Sequence, residues 1–267
     1  MNLIYGIKDR PKFGQTVVFA IQQLLAIMAA TLVVPVIIGN GMEPAAALFG
    51  AGCGTIVYLC FTKFRSPVFL GSSFAFLGSM AAAYLPVALV VFAEHVADHK
   101  NISSIIGVDL LEDPGLSRTL LGDGVGSMVG AFFGGCPNTT YGESVACVAI
   151  TRNASVITIM FAAIGAILIS FFSPFVAFVN SIPACVMGGV CMALYGFIAV
   201  SGLKMLQQVD LNKNRNLFTA SVILIAGIGG LSLTFGKITI TAIATALILG
   251  IIINQILSKE KDEEAAE

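Results

Sequence analysis

The acidic side chains of Glu94, Asp98 and Glu143 stand inside apolar stretches of this chain. Glu94 and Asp98 lie in LPVALVVFAEHVADH at residues 85–99, and Glu143 lies in CPNTTYGESVACVAIT at residues 136–151. Residues four apart share one face of a helix, so Glu94 and Asp98 present their carboxyls together. His95 and His99 turn off that face and are expected to make local contacts at the membrane interface. A carboxyl in an apolar setting must be offset by a ligand, a proton or a partner, which makes Glu94, Asp98 and Glu143 candidate site residues. Their chemistry is hydrogen-bond acceptance and proton exchange. No nucleophile–base pair, metal cluster or phosphate loop accompanies them, so no enzyme activity, cofactor or metal is expected.

Two segments near these acids do not read as full helices. Residues 67–76, PVFLGSSFAF, and 137–146, PNTTYGESVA, each begin with Pro and β-favouring or turn residues. Each is expected to form a short extended stretch followed by a half-helix, with Ser72, Ser73 or Thr140 as N-cap. The stretches 68–71 and 137–140 should lie side by side near the bilayer midplane. Helix N-termini offer free N–H groups and a positive partial charge. A matching ligand presents N–H donors to the carboxylates and carbonyl acceptors to the backbone on one small planar frame. Uracil and other oxopyrimidines or oxopurines do so, whereas a simple anion such as sulfate would be repelled by Glu94 and Glu143. Phe74 is placed to stack on such a ring.

The elements carrying these residues belong in a membrane. Hydrophobic residues make up 57% of the 267-residue chain and charged residues 11%, with a mean hydropathy of +0.94. A soluble domain carries about 25% charged residues, so a soluble enzyme, a nucleic-acid binder and a disordered chain are excluded as first readings. The six cysteines lie in apolar runs without a CxxC pair and read as small packing residues. A helical span needs about 20 apolar residues. Ten candidate spans follow, at roughly 14–38, 44–62, 66–84, 85–99, 118–135, 136–151, 154–180, 183–203, 217–235 and 238–257. With the N-terminus in the cytoplasm and sides alternating, thirteen of the 14 Lys and Arg residues fall inside and only Lys237 falls outside. Both termini are therefore expected in the cytoplasm of a multi-pass cell-membrane protein. The basic N-terminal segment reads as a cytoplasmic tail and not as a signal peptide. The third and sixth spans are broken and run in opposite directions, the mark of an inverted-repeat transporter with its site between half-helix N-termini. The fold expected is all-α and polytopic, carrying two short antiparallel strands.

One join is anomalous. Residues 66–99 as a single helix would extend about 51 Å, too long for one crossing. The chain should therefore reverse near Ala81–Pro86 with poor turn chemistry. The join Tyr84–Leu85 marks the place.

Several motifs then become specific. SSFAF at 72–76, AEHV at 93–96, DPGLSRT at 113–119, CPNTTYGES at 136–144, AITR at 149–152 and PACVMGGVCMALYG at 183–196 follow in order. Together they resemble the nucleobase–ascorbate transporter family, in its uracil permease branch. The resemblance implies a core domain that carries the site, a gate domain that lines it, and a proton that accompanies the substrate. It implies that Glu94 and Glu143 bind the N–H edges of the base. The backbone of Phe74 and Gly142 would meet its carbonyl side, Tyr195 would approach from the gate, and Tyr141 would neighbour the site. Glu94, in an apolar helix beside a second acid, is expected to exchange the coupling proton, with Asp98 one turn nearer the cytoplasm as relay. A homodimer through the gate domain is also implied.

Three departures from the family pattern stand out. Asp98 occupies a position where the uracil branch often carries His. The E-N-x-G signature reads Glu143-Ser144-Val145-Ala146. The family has fourteen spans, and this chain resembles spans one to three joined directly to spans eight to fourteen. Residues 1–84 and 85–180 would then be two parts of the core, 181–258 the remaining gate and 259–267 a cytoplasmic tail. Proton-coupled uracil uptake is the leading reading. A shortened, non-transporting nucleobase-binding remnant and a sulfate-permease-like anion transporter are the alternatives.

Overall fold

The computed structural model describes residues 3–38, 42–72, 84–235 and 238–264. Phe74 lies outside the described residues, as do residues 81–83 of the expected reversal.

Helix α1, Phe13–Ile38, and helix α2, Pro44–Phe61, are long, apolar runs without internal charge. Pro44 opens α2 where a missing N–H is tolerated, and positive φ at Lys63 and Phe64 turns the chain away after its end. Among the described residues these two helices are long and apolar enough to cross a membrane. Strand β1, Leu70–Ser72, follows as an extended piece. Helix α3, Tyr84–Ile106, runs through the join at Tyr84–Leu85 and takes Pro86 into its first turn. It is longer than the expected span 85–99.

A short wide turn at Leu111–Gly115, interrupted by the extended backbone of Asp113, leads into α4, Leu116–Phe132. Strand β2, Asn138–Thr140, then gives way at Tyr141 to α5, Gly142–Thr151. Helices α6, Val156–Ser170, and α7, Ser173–Asn180, fall within the expected single span 154–180 but are bent by 80° at their junction. Pro174, in the first turn of α7, has no N–H to continue the ladder of α6. Helix α8 covers Ala184–Leu206.

The chain divides into two compact units. In the first, Met1–Leu77 with Glu94–Ile198, α2 lies between α4 and α6, and α1 packs on α6. The α2–α4 contact is close because glycines face each other. A Cβ on Gly54 would lie 2.8 Å from the Gly126 carbonyl oxygen, and one on Gly50 would lie 3.0 Å from Gly130 Cα. Ile27, Leu48, Tyr58, Leu59, Phe69 and Leu70 are fully buried in its core. Phe132 and Ile150 stand 84% and 82% exposed, as a lipid-facing surface allows.

In the second unit, Gly78–Ala93 with Ala199–Glu267, α9, Asn214–Ile228, packs on α10, Ala242–Glu264. Arg215 Nε donates to Asn254 Oδ1 at 2.7 Å between them. Strands β3, Leu233–Phe235, and β4, Ile238–Ile240, pair antiparallel. This hairpin takes the facing ends of the expected spans 217–235 and 238–257, whose remainders fall largely in α9 and α10. The alternation in Leu-Ser-Leu-Thr-Phe and Ile-Thr-Ile-Thr has the two-residue period of a strand, and its β-branched residues favour one.

Candidate functional site

Strands β1 and β2 pair antiparallel in the register Leu70↔Thr140, Gly71↔Thr139 and Ser72↔Asn138. The expected pairing of two short extended segments is present, with β1 shifted toward Ser72. All six residues are buried, so their backbone and side chains need partners from the surrounding helices. Thr55 of α2 receives the Leu70 N–H at 3.0 Å. Asn138 Nδ2 donates to the Gly50 carbonyl at 3.2 Å, and Ser127 of α4 receives the Asn138 N–H at 3.0 Å. Ser144 Oγ accepts the Phe69 N–H at 3.1 Å and a hydrogen bond from Gln23 Nε2 of α1. The residue that departs from the family signature thus ties α1, β1 and α5 together.

The strand pair ends where α5 begins. Tyr141 is the N-cap residue and makes no side-chain cap bond, and Glu143 sits in the first turn. This corrects the expectation that Thr140 caps the helix. Thr140 faces the Asp98 carboxyl instead. A Cβ on Gly71 would lie 2.8 Å from the Tyr141 ring, so the bare glycine makes room for that aromatic against β1.

Across from α5 stand the acids of α3. A Cβ built on Gly142 would lie 3.7 Å from Asp98 Oδ1, and Asp98 interacts electrostatically with Glu143 and Asp123. Tyr141 is close enough to interact with both Glu143 and Glu94. The structure therefore brings Glu94, Asp98, Tyr141, Gly142 and Glu143 together. Asp98 faces Thr140 of β2 and Glu143 in the first turn of α5. Among the described residues, the buried atoms Ser72 Oγ, Asp98 Oδ2, Thr140 Oγ1, Tyr141 OH and Glu143 Oε1 have no hydrogen bond of regular geometry. Asp98 faces Thr140, Tyr141 faces Thr31 and Ser72 faces Cys136, and a buried polar cluster of this kind is suited to a polar ligand. The side chain of Tyr195 in α8, like Phe74, lies outside the described set.

The structure overturns one reading and adds a residue. His95 and His99 are fully buried and not interfacial. His95 Nδ1 is 2.9 Å from Asp123 Oδ2 of α4, and its Nε2 is 3.0 Å from Thr119 Oγ1. His99 Nε2 lies 2.7 Å from the Tyr58 hydroxyl of α2, which is also 2.7 Å from Ser66 Oγ. Packing of α3 against α2 and α4 decides this, since the face carrying His95 and His99 is turned to Tyr58 of α2 and to Thr119 and Asp123 of α4. Asp123 is the functional candidate that sequence reasoning missed. Its signal was present: an acid in the middle of the apolar span 118–135.

Apolar helices around a polar cluster at the ends of two buried strands fit a membrane transporter. The family model described as Permease family, Xan_ur_permease, matches residues 14–84 and, in a separate block, 78–236. The chain belongs to this family, that of the nucleobase–ascorbate transporters, in its uracil permease branch. It is 42% identical to the uracil permease of Bacillus subtilis (strain 168) over 190 residues, 70% of this chain and 44% of that protein. It is 46% identical to the uracil permease of Bacillus caldolyticus over 176 residues, 65% of this chain and 41% of that protein. The putative pyrimidine permease RutG of Escherichia coli (strain K12) is 32% identical over 248 residues, 89% of this chain and 55% of that protein. The chain spans less than half the length of the two uracil permeases. Its relatives are transporters and not enzymes.

Proposed function

We propose that this chain binds uracil or a closely related nucleobase within the cell membrane and carries it together with a proton. The observation that supports this best is the meeting of Glu94, Asp98, Tyr141 and Glu143 at the junction of β2 and α5. In this reading Glu94 and Glu143 accept the N–H groups of the base. The Gly142 backbone and Phe74 meet its carbonyl side, Tyr141 lines the site and Tyr195 closes it from the gate. Glu94 exchanges the coupling proton. Asp98, one helical turn nearer the cytoplasm on the same face of α3, relays that proton. The membrane arrangement belongs to the same proposal: ten spans as an inverted repeat, both termini cytoplasmic, core segments at 1–84 and 85–180, gate remainder at 181–258, and a dimer through the gate.

A second reading is a chain that binds the base without carrying it. The two family-matched blocks meet at residues 78–84, next to the Tyr84–Leu85 join, and the chain covers under half of the uracil permeases. A block of spans absent at that join would remove part of the gate. An anion-transporter reading is disfavoured by the grouped acids. Purified chain in proteoliposomes tests these readings with radiolabelled uracil. Saturable binding with counterflow supports transport, binding without counterflow supports the second reading, and no saturable binding overturns both.

A further inference from the structure

His95 and His99 are the two histidines of the chain, and their rings lie 4.1 Å apart on α3. Counting protons along their hydrogen bonds separates them. His99 Nδ1 is 2.8 Å from the His95 carbonyl oxygen, which only accepts, so this nitrogen carries a proton. Nε2 of His99 is then free to accept from the Tyr58 hydroxyl, and the ring is neutral. His95 differs. Thr119 donates its single hydroxyl proton to the Leu116 carbonyl at 3.0 Å. With that proton committed, the Thr119 oxygen faces His95 Nε2 as an acceptor, an arrangement in which this nitrogen donates. At the other nitrogen, Asp123 Oδ2 receives the Thr139 hydroxyl at 2.9 Å and faces His95 Nδ1 at 2.9 Å. Two donors converge on this oxygen, as a carboxylate accepts them, while Asp123 Oδ1 is buried without a hydrogen bond of regular geometry. Both nitrogens of His95 therefore donate, as only the imidazolium does. Charge balance agrees: the Asp123 side chain is 7% exposed and that of His95 0%, and a carboxylate so placed needs a cation beside it.

We propose that His95 and Asp123 form a proton-binding site of their own, storing one proton as a buried imidazolium–carboxylate pair apart from the acids around Glu143. The groups facing the pair are Tyr58 from α2, His99 and Asp98 from α3, Thr119 from α4 and Thr139 from β2. Glu143 of α5 faces Asp98 in turn. Loss of the stored proton leaves Asp123 as an unbalanced charge next to Asp98. It also leaves Nε2 of His95 bare, so the Thr119 hydroxyl turns from Leu116 to fill it. Thr139 sits opposite Gly71 in the strand pair, which connects the proton count to the backbone that shapes the candidate site. A role for this proton in coupling rests on the transport reading above, but its storage does not.

The test uses the full chain, labelled with 15N-histidine, in lipid nanodiscs at pH 7. The expected NMR spectrum has one ring with both nitrogens protonated and one with a proton on Nδ1 alone. His95→Gln removes the first and keeps the second. A bare nitrogen on each ring of the unmodified protein overturns the proposal without recourse to any variant, as does a doubly protonated ring that survives His95→Gln. The coupling role is read from uracil affinity between about pH 5 and 8. Its pH profile should flatten in His95→Gln, and an identical profile overturns that role. Failure of uracil to bind at all would count against the transport reading and leave the histidine spectrum to judge the pair.

Discussion

Glu143 and Ser144 are adjacent yet serve different ends. Glu143 points a buried oxygen without a regular hydrogen bond into the site. Glu143→Gln keeps the size but replaces an acceptor with a donor that opposes a ligand N–H. A mismatched buried polar group costs about 1–3 kcal/mol, so uracil affinity should fall roughly tenfold to a hundredfold with the protein still inserted. Equilibrium binding of radiolabelled uracil measures this, and unchanged affinity would mean that the carboxylate faces elsewhere. Ser144 is a brace. Ser144→Ala leaves the Phe69 N–H and the Gln23 amide without their shared acceptor. A loss of about 1–3 kcal/mol is expected, seen as a lower thermal midpoint in detergent and partly restored by Ser144→Thr.

The helices are held by contacts of two kinds, and each is testable. Helices α2 and α4 approach closely because Gly54 meets Gly126, with Asn138 Nδ2 3.1 Å from where a Cβ would stand on Gly54. Gly54→Ala forces these apart, and overpacking of this sort costs about 1–3 kcal/mol. Its thermal midpoint should drop, whereas Gly124→Ala, with nothing within 4 Å, should leave it nearly unchanged. The loop from α3 to α4 is held differently, by charge. The Leu111 N–H and the Lys100 ammonium beside Asp109 hold its carboxyl below the usual carboxylate range. A carboxyl depressed in the folded state stabilises it above the ordinary carboxylate pKa, and that contribution is lost as pH falls through the lowered value. Hydrogen exchange in residues 107–111 should therefore rise as the medium is acidified into that range. In Asp109→Asn it should already be raised at neutral pH and stay flat.

Across the whole molecule, the distribution of basic residues governs orientation. Alkaline phosphatase fused after Lys237 should be active, since that is the basic position expected outside, while fusions after Arg65 and Arg215 should be inactive. The reverse pattern would overturn the proposed orientation. The coverage of under half of the uracil permeases and the two matched blocks meeting at 78–84 bear on activity as well. Full-length relatives and this chain compared in one proteoliposome assay should bind uracil alike and differ in counterflow if a block of gate spans is what the chain lacks.

Composition and local pattern were enough to recognise a membrane protein, its family and the two extended segments, and to single out Glu94, Asp98 and Glu143 as candidates. These depend on nearest neighbours along the chain: apolar runs, Pro and Gly breaks, and an unusual charge within a run. The register of β1 against β2, the facing of Asp98 toward Thr140 and Glu143, and the burial of His95 and His99 were not legible there. Each depends on which helix lies against which, and many packings satisfy the same local pattern. His95 shows the difference most sharply. One turn of α3 says only that it points away from Glu94, and it is α4, supplying Asp123 and Thr119 from 28 and 24 residues away in sequence, that makes it a buried, bonded side chain. Long-range packing alone brings such partners together, because only the folded bundle removes water from all of them at once.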